Sequence, residues 1–351
     1  MKPNNVIVFN GRMHELCILF GLFGKENLKY KSEFDHRIYG SEKYTIYYFE
    51  ELNADIILLS PPTKITDLDI DSYENIIIML SESDLDNNKS IFYRNKYPNC
   101  KLAFVWMYGE VFSKHMFNNC KIAKPDLILT GSNQSTIYGK HNYNLDEIGA
   151  IFDYKLNFKY FYYYIGYYYL KDLIPNLKEK KYNPKELPIF TYSKAQLSSN
   201  WRSDILNDLH NKFPNKIYNG NSINDSYDLE FTKYKHFETI NDYSHKNYNL
   251  IFETINPLNN MEYFATEKTF KGLFFNNPFY LVAPSEFIKN LEKDFYLLNS
   301  SFYNLDSFVG SEKLEENYPI YAEKSKHNLS KLLDYIHDYS HVKYFKQLLN
   351  I

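Results

Sequence analysis

The feature that most constrains this chain is a series of short, continuous apolar runs along its length, each followed by a polar turn and usually by a helix-like stretch. In the first half they lie at residues 6–9, 54–59, 75–80, 101–106 and 126–130, and in the second at 188–192, 216–220, 248–252 and 279–282. A strand with one wet face alternates apolar and polar residues, whereas a strand covered on both faces by helices is apolar throughout. Runs of this kind separated by helical segments, such as residues 13–23, predict an α/β chain with parallel sheets. A chain of 351 residues can hold two such domains, each with its own core. The expected division is a first domain over 1–153, an aromatic linker over 154–185, a second domain over 186–327, and a carboxyl-terminal segment over 328–351. A helix over 328–349 in that last segment is expected to cross back to the first domain.

Composition removes several function classes. The net charge is -3, so there is no global basic field of the kind that marks nucleic-acid binding. The three cysteines, Cys17, Cys100 and Cys120, have no metal-ligand spacing, and their odd number suits a reducing compartment. No secretory signal precedes the first strand, and no apolar run approaches the roughly 20 residues needed to cross a bilayer. A soluble, cytoplasmic protein without a transmembrane segment is expected. The first strand is followed by Asn10-Gly11-Arg12 rather than by Gly-x-Gly-x-x-Gly, which disfavours a nicotinamide dehydrogenase. The tyrosine-rich stretch at 158–170 reads as an aromatic interdomain element with hydroxyls turned to water.

Chemistry concentrates in residues 248–284. Here a strand (248–252) leads through a polar loop (253–262) to a helix opening near Thr266, which repeats Phe270, Leu273 and Phe274 until Asn276-Asn277-Pro278 stops it. A loop at the carboxyl end of such a strand faces a crevice, and the helix amino terminus offers N–H groups to an anion. Lys268 in the first turn can add full charge to a phosphate site, and Glu267 can accept hydrogen bonds from the two hydroxyls of a ribose. The same layout recurs at 188–213, where Arg202 opens a helix carrying Ile205, Leu206, Leu209 and Phe213. A guanidinium can bind two phosphate oxygens at once, and arginine is scarce here, at positions 12, 37, 94 and 202 only.

These segments resemble the donor site of glycosyltransferases of the α1,3-fucosyltransferase type, where Phe-Glu at a strand end leads to Tyr-x-Thr-Glu-Lys opening a helix. In this chain the matching residues are Phe252-Glu253, Tyr263, Thr266, Glu267 and Lys268, with one extra residue between the tyrosine and the threonine. The resemblance implies a GT-B fold, an α/β architecture of two Rossmann-like domains with parallel sheets facing across a cleft. It further implies that Tyr263 lies at the nucleoside, that Glu267 holds the ribose, and that Arg202 and Lys268 hold the diphosphate of a GDP-sugar, with a UDP-sugar as second choice. Thr266 and Glu253 would line the same crevice. The candidate base is Glu110, which follows the strand 101–106 in a Gly-Glu context; deprotonating an acceptor hydroxyl opposite the leaving diphosphate would invert the anomeric centre. Capping the helix expected at 111–117 is the other role open to Glu110. The family's glycine-containing Val-Pro-Val segment is replaced here by residues 275–284, Phe-Asn-Asn-Pro-Phe-Tyr-Leu-Val-Ala-Pro.

The acidic groups at 67–71 and 84–86 echo the metal-binding Asp-x-Asp of the other main glycosyltransferase fold, but their positions read as solvated turns. No essential metal or cofactor is expected beyond the nucleotide-sugar co-substrate. The acceptor expected is a glycan or another hydroxyl compound. Two alternatives stand beside this reading. Residues 71–79 and the acidic residue after Val105-Trp106 look distantly like phage DNA glucosyltransferases of the T-even type, which would make a hydroxymethylated base the acceptor. The other alternative is a sugar- or nucleotide-binding protein without turnover.

Overall fold

The protein is described here from a computed structural model that covers residues 3–10, 13–36, 42–59, 63–85, 87–107, 112–131, 143–168, 181–191, 201–219, 247–253, 256–258, 261–263 and 265–351. The chain forms two compact units, one of residues 1–164 with 336–351 and one of residues 165–335.

The first unit is built on a sheet of β1 (Asn5–Phe9), β2 (Leu28–His36), β3 (Glu42–Phe49), β4 (Ala54–Leu59), β5 (Asn75–Leu80), β6 (Cys100–Trp106), β7 (Leu127–Thr130) and β8 (Ala150–Phe152). Their spatial order is β2-β3-β4-β1-β5-β6-β7-β8. From β4 to β8 every ladder is parallel, and β1 is buried along its full length, as a continuous apolar run requires. The edge hairpin of β2 and β3 is antiparallel and was not anticipated. Its strands alternate polar and apolar residues, as in Lys29-Tyr30-Lys31 and Lys43-Tyr44-Thr45-Ile46, so a search for continuous runs passes over them.

Before the chain leaves this unit its helices are α1 (Met13–Phe23), α2 (Asn87–Lys96), α3 (Lys114–Ala123) and α4 (Lys155–Tyr168), the last of which runs past residue 164 into the second unit. α2 and α3 share one core with the sheet, in which Tyr93, Tyr97, Met116, Phe117 and Cys120 pack with Ile76, Ile78, Leu102 and Phe104. The aromatic segment, expected as an interdomain element with its hydroxyls turned to water, forms α4, whose Phe158, Tyr160, Phe161 and Ile165 are buried. Residues 155–164, expected in the linker, therefore belong to the first unit.

Asp84 corrects another expectation. Rather than lying in a solvated turn, it is 2% exposed and accepts hydrogen bonds from Asn10 Nδ2 (2.7 Å), Ser81 Oγ (2.6 Å) and Lys89 Nζ (2.7 Å). Burial alone would raise its carboxyl, but these three donors outweigh it and hold the group below the usual carboxylate range.

The second unit holds a parallel sheet of β9 (Ile189–Thr191), β10 (Ile217–Asn219), β11 (Tyr248–Phe252) and β12 (Phe279–Val282), in the order β10-β9-β11-β12. Its helices are α5 (Trp201–Lys212), α6 (Glu267–Phe274), α7 (Ser285–Leu291), α8 (Leu305–Val309) and α9 (Leu314–Ile336). Successive residues of a strand point to opposite faces, and β11 shows which helix covers which face. Tyr248, Leu250 and Phe252 pack in one core with Leu206 and Leu209 of α5 and with Leu305, Val309 and Tyr318. On the other face α6 approaches so closely that a methyl group at Gly272 would come within 2.5 Å of Ile251 Cδ1 and 3.2 Å of the Phe279 ring.

The chain then returns to the first unit. The single helix expected over 328–349 is two helices, because α9 ends at Ile336 and α10 (Val342–Leu349) follows a turn in which Asp338 Oδ1 accepts Ser340 N. This turn is held to α4 and α1. Lys155 Nζ pairs with Asp338 at 2.6 Å, Lys159 Nζ donates to the Asp338 carbonyl, Tyr339 Oη bonds Glu26 at 2.6 Å, and His341 Nε2 bonds the Leu22 carbonyl at 2.7 Å.

Candidate functional site

The sheet of the second unit has a point where its connections diverge. From β9 the chain passes through α5 to β10 on one side, and from β11 it passes through α6 to β12 on the other. Right-handed crossovers in opposite directions put α5 and α6 on opposite faces, as the packing of β11 shows. The carboxyl ends of β9 and β11 are neighbours from which the chain leaves in opposite directions, and ligands of open α/β sheets bind at such a point. Arg202 reaches this place from α5, and Glu253, Thr266 and Lys268 reach it from the β11–α6 connection.

The structure ties three of the four together. Arg202 is 2% exposed, and its Nε and Nη2 both donate to the Glu253 carbonyl, at 3.1 and 2.7 Å. The guanidinium also lies against the Trp201 ring, 5.3 Å from its centroid. The Glu253 side chain has no exposed surface. Its Oε1 accepts Thr266 N at 3.1 Å, Thr269 N at 3.2 Å and Thr269 Oγ1, and its Oε2 accepts Thr266 Oγ1 at 2.7 Å. Thr266 Oγ1 in turn caps α6 by accepting Lys268 N at 3.3 Å.

This geometry corrects three expectations. Glu253 does not line a crevice; it is a buried acceptor that fastens the start of α6 to the end of β11, because odd-numbered residues of this strand point toward α6. The amides of Thr266, Lys268 and Thr269 accordingly have partners within the protein and are not the open anion cradle that a bare helix terminus would be. The Nε–Nη2 edge of Arg202 likewise grips a backbone carbonyl rather than presenting a two-pronged fork outward.

Lys268, in the first turn of α6, is half-buried, and so is Tyr263. Burial, and after it the nearby Glu262 and Asp294, raise the Tyr263 phenol above its ordinary value. Glu267 stands in the first turn of α6, with its side chain outside the described residues. Thr191, which escaped notice in the sequence, ends β9 with no exposed surface, and its Oγ1 has no hydrogen-bond partner among the described residues. A polar residue closing an apolar strand run was the signal that could have found it. In the first unit, Glu110 lies outside the described residues, while Ser113 caps α3 by accepting Met116 N at 3.2 Å. Among the described residues, no cluster of three or more His, Cys, Asp or Glu could hold a metal ion, and no helix is long and apolar enough to cross a membrane.

No family model matches the sequence, and no curated protein matches it. Among solved structures, the chain is similar to an alpha1,3-fucosyltransferase with GDP, at 12% identity and a TM-score of 0.37, over 96% of this chain and 82% of that one. It is also similar to the trehalose-6-phosphate synthase OtsA, at 11% identity and a TM-score of 0.44, over 99% of both chains.

Proposed function

We propose that the chain is a glycosyltransferase that moves a sugar from a nucleotide-sugar to an acceptor hydroxyl, with the donor diphosphate seated where β9 and β11 diverge. The observation that carries this reading is the buried frame of Arg202, Glu253, Thr266 and Thr269 at that point, beside the half-buried Lys268. A diphosphate leaving group needs positive charge placed in advance, since dipoles and charges that require no reorganisation stabilise the developing anion most. Lys268 supplies a direct contact as a point charge. Arg202 acts from behind it as a positioning residue, holding the Glu253 carbonyl and contributing field without touching phosphate.

Glu267 takes the ribose hydroxyls and Tyr263 the nucleoside, with GDP as the favoured nucleotide and UDP as the second. Glu110 removes the acceptor proton while the sugar–phosphate bond breaks on the opposite side, so the anomeric centre inverts, and no metal step enters. The favoured acceptor is a glycan hydroxyl.

Titration calorimetry with GDP, UDP, CMP and dTDP sugars tests this reading. One of them should bind, and Lys268→Ala should weaken that binding about 10- to 100-fold, the range for losing one charge-assisted contact of about 1.5–3 kcal/mol. Its melting temperature should stay unchanged. Glu110→Gln should bind the donor normally and lose transfer. Unaltered binding by Lys268→Ala would move the donor site elsewhere, and unaltered transfer by Glu110→Gln would remove that residue as the base.

A further inference from the structure

The outer surface of α2 and α3 separates charge in a way the whole chain does not. Neither helix contains an aspartate or glutamate, although the chain's net charge is -3. Lys89, Arg94 and Lys96 of α2 stand beside Lys114 and Lys121 of α3 and the capping Lys124. Three of these cations have carboxylate partners, Lys89 with Asp84, Arg94 with Asp126 and Lys121 with Glu147. Lys96, Lys114 and Lys124 are exposed and form no ion pair among the described residues.

The same surface carries large apolar side chains in the open. Ile91 is 48% exposed, Phe92 47% and Ile122 55%. Arg94 Nη2 donates to the Lys124 carbonyl at 2.9 Å, so the two helices are side by side at their carboxyl ends. Ile91 and Phe92 lie within a turn before Arg94, and Ile122 lies two residues before Lys124, so the three are at a similar level along the pair.

We infer that this face docks on an anionic lipid surface. A polyanion such as duplex DNA would satisfy the lysines and leave Ile91, Phe92 and Ile122 against hydrated phosphates. A bilayer interface accepts both groups, with cations at the headgroups and apolar side chains at the acyl boundary. The long lysine stems suit this arrangement, since they lie along apolar surface while their ammonium groups reach outward. No spanning helix is needed, and the attachment is reversible and salt-sensitive because much of it is electrostatic. The inference does not depend on the proposed sugar transfer, because it is read without donor or acceptor.

Sedimentation of the full chain with vesicles tests it, comparing phosphatidylcholine alone with an equimolar mixture of phosphatidylcholine and phosphatidylglycerol. The anionic vesicles should carry down about tenfold more protein than the neutral ones, an advantage that falls as salt is raised. The combined change Ile91→Ser, Phe92→Ser and Ile122→Ser should reduce that binding about tenfold, as should Lys96→Gln with Lys114→Gln, with circular dichroism melting unchanged. Leu258→Ser with Tyr303→Ser, exposed apolar positions of the second unit, should leave binding intact. Equal binding to both vesicle types overturns the inference. So does full anionic binding by both the triple-serine and the glutamine variants, or duplex DNA held more tightly than vesicles and indifferent to the three serines.

Discussion

Replacing Glu253 with alanine is expected to destabilise the second unit by about 3–5 kcal/mol, the range for removing one partner from a buried, fully bonded charged network. The reasoning rests on what remains behind. The Glu253 carboxylate accepts two backbone amides and two hydroxyls from the first turn of α6, and in the variant all four donors stay buried without acceptors. Arg202 would keep its bond to the residue 253 carbonyl, but that carbonyl would no longer be fixed to the helix. Glu253→Gln provides the control. It preserves shape while offering one oxygen and a donor amide to four inward-facing donors, so its loss should fall between alanine and wild type. Urea denaturation of both variants measures these differences, and a loss under about 1 kcal/mol for Glu253→Ala would mean that the α6 terminus is held by something else.

Acidification is expected to weaken the first unit well before ordinary carboxylates titrate, and His341 is the cause. Burial drives its pKa down to about 4, the nearby Lys159 and Lys155 push in the same direction, and the Leu22 carbonyl and Asp338 oppose them. The bond to Leu22 requires the proton on Nε2, which leaves Nδ1 bare; that atom is buried and has no hydrogen-bond partner among the described residues. A second proton would therefore create a cation in a dry place with no acceptor. The folded state binds this proton less tightly than the unfolded chain, whose histidine titrates near the ordinary value of 6.5.

The stability tied to His341 is thus complete above about pH 6.5 and declines as pH falls toward 4, by about 2 kcal/mol at pH 5 and about 3 kcal/mol at pH 4. Asp338, held well below the usual carboxylate range chiefly by Lys155 against the opposing effect of burial, loses its contribution only below about pH 4. Lys159, lowered to about 8 by burial, acts on the alkaline side, where stability rises between about pH 8 and 10.5. His341→Gln, which can still donate to Leu22, should flatten the profile between pH 6.5 and 5. Urea midpoints at pH 7 and pH 5 for both proteins decide the matter, and equal acid sensitivity would transfer the effect to another group.

The parts of this structure legible in the sequence are those fixed by local pattern. Continuous apolar runs marked the strands covered on both faces, and β11 was read at its observed bounds. The β2–β3 hairpin was missed because an edge strand carries alternating residues, which the same criterion discards. Asp84 was misread because a run of polar residues looks like a turn from within, whereas its burial depends on Asn10, 74 positions away. The candidate site divides along the same line. That Arg202 and Glu253 belong to one place followed from two similar strand–loop–helix segments. That they meet through a backbone carbonyl, with the carboxylate turned inward, depends on strand parity and on Thr266 and Thr269 sharing the first turn of α6. Those three features were present in the sequence but carry meaning only once β9 and β11 are known to be neighbours.

The return of residues 336–351 to the first unit sets an order for biogenesis. During synthesis the segment 165–335 is complete before the stretch containing Tyr339 and His341 leaves the ribosome, and domains fold as units while the chain emerges. The nested unit can therefore mature first, while its host waits with the end of α1 uncovered. A premature stop late in translation would release a chain with one finished half and one open half, and the open half is the one exposed to chaperones and proteases.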